Sequence, residues 1–440
     1  MNDTIPTGRL SRTLSTGKVA ARMGTNQVRY MIKRPFLSEK GQQSSKEARD
    51  AENAKVLFKG LSLLRGTALK AAQMLSFERE ILPEAFQKEL KKSYAQVPPI
   101  NRALIRKLLI NGLGAPPEHL YRQFDTTAFA AASLGQVHRA VSQEGKALAV
   151  KVQYPDMHKT IDNDIRLLHT LLRPMAEYHL IKTALEEIRE VLLLETDYTK
   201  EAENIEYFRD RLNMDNVHIP QTLPGLCSER ILTMSFMEGR MLDQWLKTRP
   251  DQAARDQVAQ ILNDIFIRGF YELNIIHADP NPGNFLVMDG PETDDLNLGL
   301  LDFGCVRRVR PDFVSHYAQL IRLGGSGDRE AYWSLLVRLG LLSEDLDPAL
   351  REEAVGMFME MGAWINRLFR HETFDFSANP DFMARGRELG RNMQRLRRLM
   401  TSFPPEFVFI DRTRYGLIRL YEQMGVKIRL RNTYEYNDVI

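Results

Sequence analysis

One stretch near residue 280 constrains this chain more than any other. The run His277-Ala278-Asp279-Pro280-Asn281-Pro282-Gly283-Asn284 lies between a long amphipathic helical pattern, residues 251–273, and a short strand pattern, Asn284 to Met288. A second short strand pattern, Leu298 to Leu301, leads directly into Asp302-Phe303-Gly304. Asp279 and Asn284 therefore form Asp-x-x-x-x-Asn, with a further acid, Asp302, after the second of the two strands. The amide oxygen of Asn284 and the carboxylate of Asp302 are hard ligands suited to Mg²⁺. The Asp279 carboxylate can accept or orient a proton from an attacking hydroxyl or water. Upstream, Leu148-Ala149-Val150-Lys151 reads as a strand whose lysine can hold the α- and β-phosphates of a nucleotide as a point charge. Such a lysine needs an acidic partner on a nearby helix. Glu201 is the candidate, in Glu195-Thr196-Asp197-Tyr198-Thr199-Lys200-Glu201-Ala202-Glu203-Asn204. Alone, each piece is ordinary: Asp-Phe-Gly is a common turn, Ala-Val-Lys fits any edge strand, and Glu201 fits a solvated acidic face. Their order, each on the appropriate element, makes them one constellation for phosphoryl chemistry on a Mg-bound nucleotide, ATP or ADP.

The rest of the pattern predicts an α+β, bilobal, protein-kinase-like fold with a helical N-terminal extension and a helical C-terminal lobe. Residues 1–45 read as a basic N-terminal arm and 46–122 as the helical extension. Within it Leu57, Leu61, Leu64, Ala68 and Leu75 recur at near-helical spacing, Pro98-Pro99 is a break, and Gly114 closes a helix over 102–113. Residues 123–239 read as the smaller lobe with inserted helices. Strands are expected at Gln136 to Ala140 and Leu148 to Val152 with a turn at Ser142 to Gly145, and helices across 160–210. A strand pair is expected near 216–236. Residues 240–440 read as the helical lobe carrying the Asp279 loop and Asp302-Phe303-Gly304, with Pro404-Pro405 as a break. The expected nucleotide-contacting set is Ala130, Ala131, Ala132, Ser133, Leu134, Gly135, Gln136 and Val137, together with Lys151, Met234, Phe236 and Met237.

Three departures from the usual kinase pattern carry a resemblance. No Gly-x-Gly-x-x-Gly precedes Lys151. Ala130-Ala131-Ala132-Ser133-Leu134-Gly135-Gln136 stands there, expected as a loop stiffer than a glycine loop because alanine resists φ > 0. Ala278 occupies the catalytic-loop position often held by arginine, and no Ala-Pro-Glu follows Gly304. The alanine-rich stretch, the Glu195-x-Asp197 pair followed by Glu201-Ala202-x-Asn204, and Lys70-Ala71-Ala72-Gln73 ahead of Leu82-Pro83 together resemble the UbiB/AarF family of atypical kinases. Here Ala72 replaces that family's glycine. The resemblance implies that the Lys70/Gln73 extension folds over the active site, that Lys70 faces Glu195 and Asp197, and that Lys151 pairs with Glu201. It also implies an ATPase or kinase linked to ubiquinone and other isoprenoid-lipid metabolism. The implied partners are a nucleotide, an anionic membrane surface or isoprenoid lipid, and lipid-biosynthesis proteins. A protein kinase acting in trans and a nucleotide-sensing scaffold are the alternatives.

Composition narrows the setting. Lys plus Arg is 60 against 57 for Asp plus Glu, a balance that gives no reason to expect nucleic acid. Two cysteines, Cys227 and Cys305, fit neither a metal spacing nor a disulfide framework and suggest a reducing compartment. No apolar run is long enough to span a bilayer, so a cytoplasmic or peripheral-membrane location is expected. Arg9, Arg12, Lys18, Arg22, Arg29, Lys33 and Arg34 face only Asp3 over the first 34 residues. That bias fits a flexible basic arm, a membrane-surface helix or an organelle transit peptide. Arg387, Arg391, Arg395 and Arg398 share one helix face, which fits a solvated or salt-bridged surface, or docking to anionic lipid.

Overall fold

The computed structural model describes residues 25–26, 29–30, 32, 38–64, 67, 70–71, 74–75, 101–132, 134–173, 178–290, 295–393, 396, 399–400 and 404–436. Most of the basic arm thus lies outside the described residues, although its residues 39–45 already belong to a helix, and Ala72, Gln73, Leu82-Pro83, Pro98-Pro99, Ser133, Arg395 and Arg398 also lie outside them. The chain divides into two compact units, residues 1–202 with 222–236, and residues 203–221 with 237–440.

The first unit contains α1 (Glu39–Leu64) and α2 (Arg102–Leu113), then strands β1 (Gln123–Ala132), β2 (Gly135–Val141) and β3 (Ala147–Gln153). Helices α3 (Met157–Leu172), α4 (Tyr178–Leu194) and the start of α5 (Tyr198–Arg211) follow, and β4 (Ile231–Ser235) completes it. The four strands form one antiparallel sheet in the order β1-β2-β3-β4. Strand β3 is central, and its apolar run is buried on both faces, the signature of a strand covered on two sides. Ile105 and Leu109 of α2 pack with Tyr121, Leu148, Val150, Val152 and Ile231, and the Tyr121 hydroxyl meets Thr233 Oγ1 at 2.9 Å. Helix α2 starts because Asn101 accepts the Ala103 N–H at 2.8 Å, and stops at Gly114, whose φ of 78° suits a residue without a Cβ.

The second unit holds a sheet made of Val217–His218, β5 (Arg240–Met241), β7 (Phe285–Asp289) and β8 (Leu296–Leu300). A two-stranded ribbon joins β6 (Ile275–His277) to β9 (Val306–Arg308). Its helices are α6 (Leu242–Lys247), α7 (Gln252–Ile267), α8 (Pro311–Leu323), α9 (Arg329–Arg338), α10 (Pro348–Asn366), α11 (Phe382–Met393) and α12 (Pro405–Met424). The pair β10 (Phe374–Asp375) and β11 (Lys427–Ile428) ties the end of α12 back to the chain before α11. Among the described residues no helix is long and apolar enough to cross a membrane.

Three local expectations are revised. The strand pair near 216–236 is not a pair: Val217–His218 joins β8 in parallel, while β4 joins β3. Residues 251–273 do not form one α-helix, because α7 ends at Ile267 and Arg268–Glu272 form a π-helical turn. The wider turn adds a residue before Asn274, which adopts φ 52° and turns the chain into β6. Third, Ala130, Ala131 and Ala132 are not a loop. They end β1, opposite Val137, Gln136 and Gly135. Ladder hydrogen bonds to β2 outweigh alanine's weak strand propensity.

Helix α12 carries a titrating group. Burial pushes the Asp411 carboxyl up to about 7 against the opposing pull of Arg414. An unfolded aspartate loses its proton near pH ~4. Between the two values the folded state holds more protons, so this group's contribution to stability falls as pH rises through that window and is flat above it. Asp411 keeps partial exposure, which limits the effect. Asp411→Asn should remove a pH-dependent loss of about 1–2 kcal/mol between pH ~4 and ~7, read from denaturant unfolding. An equal pH dependence in variant and parent would refute this assignment.

Candidate functional site

In the first unit the Lys151 ammonium lies 2.5 Å from Glu201 Oε1, with both side chains buried, at 7% and 2% exposure. Lys151 is placed by the central position of β3, and Glu201 by the first turn of α5, where the helix dipole favours a carboxylate. The ammonium also stands 5.6 Å from the centroid of the Tyr198 ring. Two charges out of water at this depth are tolerable only as a pair. Asp197 begins the same helix by accepting the N–H groups of Thr199 at 3.0 Å and Lys200 at 3.4 Å. Lys70 pairs with Glu195, both mostly buried. The Asp197 carboxylate, which the resemblance also sets opposite Lys70, caps α5. Thr67, on the same extension, bonds the buried Asp164 of α3.

Around the β1–β2 hairpin, Leu134 is buried and its carbonyl accepts the Tyr154 N–H at 3.0 Å. Gly135 presses against β3: a Cβ there would collide with the Val152 carbonyl oxygen and stand 2.9 Å from its carbon. Gln136 is buried, and Val137 is half-buried opposite Lys151. Met234 is buried on β4 opposite Ala149. Phe236 meets exposed Phe129 edge-on at 5.7 Å, and the Arg139 guanidinium lies over both rings.

In the second unit the loop after β6 is bound internally. Asn284 Nδ2 donates to Asp279 Oδ2 at 2.9 Å and to the Asp279 carbonyl at 3.2 Å. Asn281 Oδ1 accepts the Gly283 N–H at 3.0 Å, and the Ala278 N–H donates to the Cys305 carbonyl at 2.9 Å. Asp302 Oδ1 accepts the Gly304 N–H at 2.9 Å, and its carbonyl bonds His277 Nε2. Phe303 is fully buried, 5.4 Å from the Phe208 ring, and Asn204 of α5 donates to its carbonyl at 3.0 Å. Met237 lies against Gly299 of β8. With Asn284 Nδ2 turned to Asp279, its Oδ1 remains the acceptor that a hard cation requires. Among the described residues no group of three or more His, Cys, Asp or Glu could hold a metal ion by itself. The donor set therefore fits Mg²⁺ arriving with phosphate rather than a metal held by a protein cage.

The motif-based reading omitted Arg412 of α12, whose Nη2 lies 3.8 Å from Asp279 Oδ1. Nothing in the local sequence pairs residues so far apart. The only signal was a basic residue in the amphipathic pattern of that helix.

The family model described as "ABC1 atypical kinase-like domain" matches residues 92–334. A Dictyostelium discoideum protein named "Probable serine/threonine-protein kinase abkA" is 29% identical over 387 residues, covering 84% of this chain and 68% of that protein. The rat protein "Atypical kinase COQ8B, mitochondrial" is 30% identical over 333 residues, covering 74% of this chain. The chain spans 62% of the length of that rat relative. Among solved structures, that of the Rv3197–erythromycin complex from Mycobacterium tuberculosis superposes with TM-score 0.59 at 22% identity, over 89% of this chain and 96% of that one. The α+β architecture is thus protein-kinase-like.

Proposed function

This chain belongs to the ABC1 atypical kinase-like family, and from that premise we propose that it binds Mg-ATP and hydrolyses it or transfers its γ-phosphoryl group in ubiquinone or isoprenoid-lipid metabolism. The observation that carries this reading is the buried Lys151–Glu201 pair, which has no structural need of a charge in the centre of an apolar strand. Lys151 steadies α- and β-phosphates while Glu201 fixes the direction of its ammonium. Ala130 to Val137, with Met234, Phe236 and Met237, receive the nucleotide. Asp302 and Asn284 hold Mg²⁺, which supplies charge neutralisation at the phosphates. Asp279, oriented by Asn284, accepts or directs the proton of the attacking hydroxyl or water. Lys70 and Gln73 belong to an extension that, set against Glu195 and Asp197, regulates access to the phosphoryl acceptor.

The relatives' mitochondrial names and the basic N-terminal arm favour an organelle destination, with peripheral contact to anionic lipid. The test is Mg-ATP hydrolysis by the purified chain, with and without anionic liposomes, beside Asp302→Asn. Turnover that rises with liposomes and disappears in the variant is expected. Turnover unchanged in Asp302→Asn would overturn the assignment. A chain that turns over nothing yet melts higher with ATP would instead be a nucleotide-sensing scaffold.

A further inference from the structure

Helix α12 meets the two segments that carry the proposed chemistry along a single face. Phe409 lies under the Arg307 guanidinium of β9, 4.9 Å from its ring centroid. One turn on, Arg412 reaches Asp279 at 3.8 Å. A further turn on, Gly416 abuts Pro280 so closely that a Cβ would collide with the proline ring and stand 3.3 Å from Pro280 Cβ. Thr413 and Leu417 of the same helix line a small apolar cavity together with His277, Pro280 and Phe285. Positions 409, 412, 413, 416 and 417 fall on one helical stripe, so these contacts come from one surface and move together.

The helix is also fixed along its length. Arg310 Nε bonds Glu406 Oε1 at 2.9 Å at its start. At its middle, buried Arg414 pairs with buried Glu435, which the Tyr271 hydroxyl also reaches. Just past its end, Gln252 Nε2 donates to the Gly425 carbonyl at 2.9 Å. A rod held at these three points is a suitable support for a loop whose own hydrogen bonds are short-range.

We infer that α12 is the element that positions the catalytic loop, and that Arg412 is a positioning residue that sets the direction of the Asp279 carboxylate. Ala278 leaves the loop without the arginine often found there, and Arg412 supplies a guanidinium to the loop from a distant helix. Asn284 holds one oxygen of Asp279 and Arg412 faces the other, so the carboxylate is oriented from two sides. This inference rests on the reading of Asp279 as the proton acceptor.

The experiment measures kcat and KM for Mg-ATP in Arg412→Ala, Arg412→Gln, Gly416→Ala and Asp279→Asn, with circular dichroism as the folding control. Arg412→Ala and Arg412→Gln should lower kcat about tenfold with KM within about twofold, the pattern for a group that acts on the reacting geometry alone. Added methylguanidinium should restore part of the kcat of Arg412→Ala and none of that of Arg412→Gln, whose side chain fills the space. Gly416→Ala should lower kcat alone, because the new methyl displaces Pro280. An Arg412→Ala enzyme that matches the parent, or a loss that guanidinium does not relieve, would overturn the inference, provided Asp279→Asn is inactive. Full turnover in Asp279→Asn would instead remove the functional reading itself. If Arg412→Ala does not fold, Arg412→Gln and Gly416→Ala decide by the same kcat and KM pattern.

Discussion

Glu201→Ala is expected to cost about 3–5 kcal/mol of stability and to abolish nucleotide turnover. The substitution leaves the Lys151 ammonium on the central strand, at 7% exposure, without its carboxylate. Removing the carboxylate from a buried ion pair is far costlier than losing a contact, because water cannot reach the remaining charge and the surrounding strand is apolar. The double variant Lys151→Met with Glu201→Leu should recover most of that stability, since well-packed apolar groups commonly replace a buried ion pair without loss. Turnover should stay absent. Urea unfolding of the two variants separates the contributions. If both are equally destabilised, the cost is packing and not charge. If the double variant still turns over ATP, Lys151 has no part in the chemistry.

The second large effect is expected at Gly135. A methyl at this position would enter the space of the Val152 carbonyl oxygen, with the Val152 carbon at 2.9 Å and Gln153 Cα at 3.0 Å. All three are backbone atoms of β3, so no side-chain rotation relieves the clash. Gly135→Ala should therefore cost more than about 3 kcal/mol, or force β2 out of register beside Lys151. Denaturant unfolding reads the first outcome. Amide exchange at Val137 and Lys151, which face each other across the ladder, reads the second. A fully stable variant with unchanged exchange would mean that β2 has more room than the structure shows.

Much of the architecture was legible because it is written in short-range pattern. The apolar run around Val150, the turn at Gly145, and the helix closed by Gly114 each follow from a few neighbouring residues. So do the two strands ahead of Asp302, and the UbiB/AarF resemblance drawn from the motifs agrees with the family match. What was not legible depends on partners remote in the chain. Ala130 to Ala132 become strand only because β2 folds back on them. Val217–His218 and β4 look like neighbours in sequence and join different sheets. The π-turn at Arg268 is a one-residue surplus with no compositional mark. In the candidate site, the motifs list what the chemistry needs and leave out what holds it, which is why Arg412 and the capping role of Asp197 emerge only in the folded chain.

The Arg414–Glu435 pair has a consequence for the order in which the chain can be made. The acid that neutralises Arg414 lies 21 residues further along the chain. Burial and the Glu435 carboxylate hold the Tyr271 phenol well above its ordinary value, so it too awaits that acid as a hydrogen-bond donor. On the ribosome, α12 emerges with a bare cation on the face bound for the interior, and cannot settle there until its counter-ion has also left the exit tunnel. The second unit should therefore close nearly all at once, only after residue 435 is free to fold, with α12 and whatever it supports completed in the same step.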